Sequence, residues 1–477
     1  MKKVMVFLLV LLFLAPDVLR VSANSAPFIW VNYPSSSMMA IDSDTGIEVL
    51  KEDLHFDFSL KDEESFSPGA SVSAKYEMKN TKDEAEVTSM VFPFFQKMWN
   101  TESDDIEVLV DGEKIAYELF YGKEALLNDE DPPMYVMDIE NILSSVTRDQ
   151  YTPEKFNYTD VGMLYRVRAD RKAEQSGYLQ ISFNINESSQ KVIASGFNSY
   201  GSYGEGEYEL GAHLEEGETT AEFYILGGDP SVLNIAIVSS IENGIKKPVD
   251  DIQYEVHEES MNLAAYYKEY VTESEFIPSV KMNTLQEENL YFEALDKALG
   301  EQAVIMEDMI IMYLGDPRYA MIVYDVPFEA GEEKSVEVRY MTYGTMDRRE
   351  TEEPTYTYDY FLQPAARWKD FQNLTVKITP SEDYPFIIDS TLPLEREEDG
   401  TYSGQFETLP EEDLRFVLYE EEEITAMDRA KGTLSRYQYP IYFIGTLLLS
   451  FLVLGVLTLI LKKVILKFIN KRKEDDR

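Results

Sequence analysis

Apolar and polar positions alternate along most of this chain, and the alternation predicts a mainly β protein. Residues 47–58 form an extended run carrying Val49, Leu54, Phe56 and Phe58. Val72, Ala74, Tyr76 and Met78 then alternate with Ser73, Lys75, Glu77 and Lys79, the pattern of a half-buried strand. A polar turn at 80–84 returns into the stretch Val87-Thr88-Ser89-Met90-Val91-Phe92. Ile106, Val108 and Val110 alternate, Asp111-Gly112 turns the chain, and Ile115, Tyr117 and Leu119 alternate back. An Asp-Gly pair between such runs predicts a hairpin with positive φ at both central residues. Further strands are expected at 178–185, 220–226, 232–238 and 252–257. The Gly/Tyr-rich stretch 196–206 reads as a flexible loop.

The period changes near residue 259. A short helix is expected at 138–146, another at 261–271, and a third opening at Thr284. There Glu287 stands three residues on to complete a capping box. Leu285, Phe292, Leu295 and Leu299 give the third helix its apolar stripe, and Gly300 is its expected end. Alternation returns after residue 319, with Val336, Val338 and Tyr340 in one strand and Tyr356, Tyr358 and Tyr360 along one face of another. The pattern therefore predicts two β-sandwich-like units with a helical segment between them, divided as 24–258, 259–315 and 316–420.

Two segments break the alternation altogether. Residues 1–23 read as a signal peptide: Lys2 and Lys3, an apolar run over 4–15, then small residues leading to cleavage after Ala23. From Tyr439 to Leu461 no residue is charged, and 23 helical residues span about 35 Å, enough to cross a bilayer. This predicts one C-terminal transmembrane helix, preceded by a charged juxtamembrane stalk at 421–438. A basic tail follows at 462–477. Positive charge stays inside, so the tail is expected in the cytoplasm and the ectodomain outside the cell membrane. A wall-sorting signal needs Leu-Pro-x-Thr-Gly before the apolar run. Leu392-Pro393-Leu394-Glu395-Arg396 and Leu409-Pro410-Glu411-Glu412-Asp413 both lack its Thr and Gly.

Composition narrows the function classes. The chain of 477 residues carries 88 Asp+Glu against 43 Lys+Arg, a formal net charge of -45. Both ends are net basic, so the exported part holds all of the acidity. Such charge repels phosphate and argues against a nucleic-acid partner. There is no Cys, which removes disulfides, thiolate nucleophiles and zinc–cysteine sites. An aromatic content of 13% excludes general disorder.

The run Tyr76-Glu77-Met78-Lys79-Asn80, then Val91-Phe92-Pro93-Phe94 and the Asp111-Gly112 hairpin, resembles uncharacterised extracytoplasmic bacterial membrane proteins with β-sandwich domains and a signal peptide. The stretch Tyr360-Phe361-Leu362-Gln363-Pro364-Ala365-Ala366-Arg367-Trp368 fits the same style. The resemblance implies the fold class and brings no catalytic residues with it.

Chemistry-bearing motifs are few. His55, His213 and His257 are isolated, without an HExxH or His-x-His pairing, and His55 reads as structural. No Gly-x-Ser-x-Gly elbow occurs. Asp42-Ser43-Asp44-Thr45-Gly46 begins like a calcium loop. An EF-hand needs Gly at its sixth position and Glu at its twelfth, whereas Gly46 is fifth and Asp53 twelfth. Asp42, Asp44, Asp129 and Asp131 remain as candidate cation ligands, with Ca2+ the only cofactor in view. Tyr200 and Tyr203, or the row Tyr356, Tyr358 and Tyr360, could stack on carbohydrate, although core packing is the default for strand tyrosines. The leading expectation is a non-enzymatic binding, adhesion or accessory module. It would be held to membrane lipid by one helix and engage a protein or cell-envelope partner. The alternatives are a carbohydrate-active enzyme using paired Asp/Glu and a calcium-dependent surface module.

Overall fold

Alternation along each long strand buries one of its faces. A computed structural model describes residues 28–59, 67–97, 106–238, 248–249, 251–274 and 282–475. The signal segment 1–23 and its expected cleavage at Ala23 lie outside the described residues. In the strand Gly69–Asn80, Val72, Ala74, Tyr76 and Met78 are buried while Lys75 and Glu77 are exposed. It pairs antiparallel with Ile47–Asp57 on one side and Glu333–Tyr343 on the other. These strands centre an eight-stranded sheet that continues through Gln372–Thr379 and Tyr402–Thr408 at one edge and Glu107–Val110 at the other.

A six-stranded sheet with Thr355–Phe361 and Leu414–Tyr419 near its centre shares the main core with it. The contact is aromatic. Phe56 meets Phe416 and Tyr360 edge-on at 5.3 and 6.0 Å, and Phe58 meets Tyr358 at 4.8 Å. A four-stranded sheet containing Glu86–Gln96, Arg318–Phe328 and Glu118–Glu124 adds Phe92, Ile322 and Tyr324 to the same core. Its other face packs Phe95, Tyr319 and Phe120 with Ile142 of the helix Ile139–Ser145.

Residues 161–315 supply two further sheets. Five strands, among them Val161–Arg171, Gly217–Leu226 and Lys191–Ser195, share a core with four strands that include Tyr178–Asn184 and Glu207–His213. Helices Leu263–Glu273, Leu285–Glu301 and Glu307–Gly315 contribute to a second apolar cluster with Leu164, Ile193 and Tyr224 of the five-stranded sheet. Tyr224 stacks on Tyr266 there at 4.5 Å.

The sheets do not follow the expected division into 24–258, 259–315 and 316–420. Gln372–Thr379 pairs in parallel with Ile47–Asp57, and Arg318–Phe328 lies between Glu86–Gln96 and Glu118–Glu124. Strands from both ends of the chain therefore build one core, and the helices belong with the strands between them. No local pattern encodes such pairing, because alternation specifies a strand's face and not its partner.

Local signals fare better. Asp111 and Gly112 have φ of 51° and 84° between Glu107–Val110 and Glu113–Lys114, the expected hairpin geometry. Its return strand is short, because Glu118–Glu124 leaves to pair with Arg318–Phe328. The capping box forms as expected: Glu287 N donates to Thr284 Oγ1 and Thr284 N to Glu287 Oε2. Gly300 does not end that helix, which runs to Glu301. The stretch 196–206 is mostly strand, with Ser199–Gly204 turning through Glu205 and Gly206, both at positive φ, into Glu207–His213.

The expected stalk is helical from Ala426, and the helix Ala426–Asp475 continues without a break through the apolar segment. Its first turns touch the β body. Asp428 and Gly432 are buried four residues apart on one face, and a side chain at Gly432 would overlap the Glu350 carbonyl and the Thr351 backbone. Glycine is costly inside a helix, and here it permits this close backbone approach. Ile444–Lys463 is long and apolar enough to cross a membrane, by length and composition, and none of it is buried against the body. Ser450 and Thr458 satisfy their hydroxyls on the carbonyls of Thr446 and Leu454.

Candidate functional site

The main core contains a polar seam. Its centre is Glu52, which is fully buried on the strand Ile47–Asp57. A register shift between Val49 and Lys51 places Leu50 in a bulge, so Glu52, Leu54 and Phe56 all turn inward. The Tyr360 hydroxyl donates to Glu52 Oε1 at 3.2 Å, and the Tyr76 hydroxyl lies 3.4 Å from that of Tyr360. Tyr76 in turn accepts from the Met38 backbone N–H at 3.2 Å. Glu52 Oε2 has no directed hydrogen bond. Burial pushes the Glu52 carboxyl up to about 7, against the Tyr76 and Tyr360 hydroxyls, which favour its charged form. Burial likewise holds the Tyr76 and Tyr360 hydroxyls well above their ordinary value, and the Glu52 charge adds to this.

The segment Ser35-Ser36-Ser37 threads beside this seam and is buried throughout. Ser35 and Ser36 pair in parallel with Tyr360 and Phe361, and Ser37 N donates to the Phe361 carbonyl. Small side chains suit this narrow path. The Ser36 hydroxyl bonds the Pro93 carbonyl, and Ser35 Oγ donates to Thr342 Oγ1 at 3.1 Å.

Ser35 and Thr342 also line a cleft of about 200 Å³ between the ends of two sheets. One wall is Phe92, Phe94 and Gln96, alternate residues on one face of Glu86–Gln96; the other is Tyr340, Thr342 and Tyr343, and Asn32 to Pro34 form the rim. Tyr343 faces Gly69 across the pair, and a side chain at Gly69 would collide with its ring. None of the described lining residues is charged. Gln96 is 8% exposed, and its Nε2 has no hydrogen-bond partner among the described residues. A buried amide donor left unpaired costs about 1–3 kcal/mol.

Two larger clefts are already provided for. One of about 530 Å³ holds Arg349, which is paired with Asp131 and Asp347. In the other, of about 460 Å³, Asn289 accepts from Tyr151 N and donates to the Asp149 carbonyl.

The residues singled out by sequence lie apart from the cleft. Asp42 Oδ1 accepts from Asp44 N and closes a turn, Asp129 is exposed, and Asp131 is paired with Arg349. Among the described residues, no three His, Asp or Glu side chains stand together as cation ligands. His55 Nε2 lies 3.0 Å from Thr379 Oγ1, and burial lowers its pKa. Tyr356, Tyr358 and Tyr360 are core residues. Tyr200 and Tyr203 are exposed on the hairpin. Tyr439 lies in the long helix, as does Leu461, which falls within the apolar segment. Sequence reasoning missed Glu52, Gln96 and the serine run. Two of them carried a signal, since Glu52 is in phase with Leu54 and Phe56, and Gln96 with Phe92 and Phe94.

No family model matches the chain, and no curated protein matches it. Among solved structures it is similar to one from Legionella pneumophila described as a "putative nutrient binding protein". The likeness covers 82% of this chain and 73% of that one, at 9% identity and a TM-score of 0.34. A likeness of that degree establishes neither fold nor ligand.

Proposed function

We propose that this is a single-pass membrane protein whose β body stands outside the cytoplasm and serves as a non-enzymatic binding or accessory module. The cleft lined by Gln96 is its ligand site. The body is read as two nested β-sandwich units, an outer one formed by both ends of the ectodomain and one formed by residues 161–315 inserted into it. The observation that carries the binding reading is the Gln96 amide, a buried donor without a partner among the described residues, at an aromatic-walled opening. Among the described residues the lining contains no Asp or Glu, so no pair of carboxylates supports glycoside hydrolysis there. The apolar helical segment and the basic residues after it support the anchor and its orientation.

The absence of native cysteine gives a background-free test of topology. In intact cells making the full chain, a membrane-impermeant maleimide is expected to label Glu398→Cys, at an exposed turn. Lys473→Cys, in the tail, is expected to react only after lysis. The reverse pattern would sink the proposed orientation.

A further inference from the structure

We infer that the outer edge of the strand Gln253–Asn262 receives an extended, basic segment of a partner polypeptide as an added strand. The cleft plays no part in this. Gln253–Asn262 ends the five-stranded sheet and pairs with Val161–Arg171 through ten unbroken residue pairs. On its other side no backbone group from Gln253 to Ser260 bonds a described residue, and these eight residues are all exposed. An unpaired edge directs alternate N–H and C=O groups outward, where another strand can bond them.

Elsewhere the edges are blunted. Among the described residues, the other strands that end a sheet have two to seven residues. Register shifts also interrupt the pairing of Glu118–Glu124, Ser199–Gly204 and Phe386–Ser390. Gln253–Asn262 has ten residues, no shift, no Pro and no Lys. It is the edge without the usual protections against strand addition.

Charge and shape select the occupant. Alternation places Glu255, His257 and Glu259 on the side of the sheet that carries the helices, and Tyr254, Val256 and Glu258 on the other. On the first side Arg166 meets three carboxylates, those of Glu222, Glu259 and Glu269, and Arg168 stands opposite Glu255. Two arginines among four glutamates leave that side short of positive charge. Lysines or arginines at alternate positions of an incoming strand supply it. On the second side the Tyr254 hydroxyl donates to the Ile235 carbonyl at 2.9 Å. The Tyr254 and Val256 side chains stay 39% and 38% exposed, an apolar pair for apolar residues of the same incoming strand. A second copy of this chain fits poorly. Antiparallel pairing centred on His257 would set Glu255 against Glu259 twice, and like charges directly opposite destabilise a pair.

The test is binding of a synthetic ten-residue peptide, alternating lysine and valine, to the full chain in lipid nanodiscs. Fluorescence anisotropy reads the affinity and hydrogen exchange reads the location. The peptide is expected to bind and to slow exchange within Gln253–Asn262. An analogue N-methylated at two adjacent central residues keeps the charge and blocks both peptide edges, so it should bind at least about tenfold more weakly. Glu255→Lys combined with Glu258→Lys should weaken the lysine peptide about tenfold. The methylated analogue needs no variant and decides the matter if that protein fails to fold. Equal binding of the methylated analogue, or protection spread over other acidic surfaces, would mean adhesion by charge alone and overturn strand addition. Equal binding of a peptide with glutamate in place of lysine would overturn the basic class. Protection of Gln253–Asn262 in a dimeric chain without peptide would put a second copy in the partner's place. No binding of the lysine peptide would overturn the proposal outright.

Discussion

At pH 8 the full chain carrying Glu52→Gln is expected to be more stable than the parent, and at pH 4 the two should differ little. Below the ordinary value of 4.5, Glu52 is neutral in both folded and unfolded chains and its charge costs nothing. Between 4.5 and about 7 the unfolded chain releases the proton while the folded chain keeps it. Stability therefore falls as pH rises through this window, and the loss is complete above about 7. At about 1.4 kcal/mol per pH unit, the whole window amounts to about 3 kcal/mol. Gln keeps an acceptor for the Tyr360 hydroxyl and cannot ionise, so it removes the slope. Denaturant melts at several pH values check this. Other carboxylates act equally in parent and variant, so the difference between the two curves isolates Glu52. Parallel curves from pH 4 to 8 would show that Glu52 does not titrate in this way.

Phe416→Ala is expected to cost about 3–5 kcal/mol, the range for emptying a buried aromatic site. Phe416 is fully buried and touches Phe56, Phe58 and Tyr358. The location of the damage is as informative as its size. Hydrogen exchange should accelerate in Leu414–Tyr419 and equally in Ile47–Asp57, because the two strands line one core. If residues 316–420 formed a unit of their own, exchange in Ile47–Asp57 would not change.

The contrast between Tyr358 and Glu52 shows how far the sequence was legible. Tyr356, Tyr358 and Tyr360 announce a buried face by their spacing, and they are buried. The capping box at Thr284 and the Asp111-Gly112 turn are encoded within a few residues and were readable for that reason. Glu52 was masked by the bulge at Leu50, which breaks the phase set by Ile47 and Val49. The serine run looks like a linker, and its burial depends on pairing with Tyr360 and Phe361, more than three hundred residues on. The same separation hid the interleaving of the sheets. The cleft was illegible because its walls come from three distant stretches, each of which reads as ordinary strand or rim.

The proposed role is tested most directly by photocrosslinking in the native membrane. A p-benzoylphenylalanine at position 343 in place of Tyr343 lies in the lining of the cleft, and one at position 398 in place of Glu398 lies on an exposed turn away from it. The account predicts a discrete envelope-derived adduct from position 343, reduced by Gln96→Leu, and none from position 398. Equal adducts from both positions, or an adduct at 343 that ignores Gln96→Leu, would contradict it.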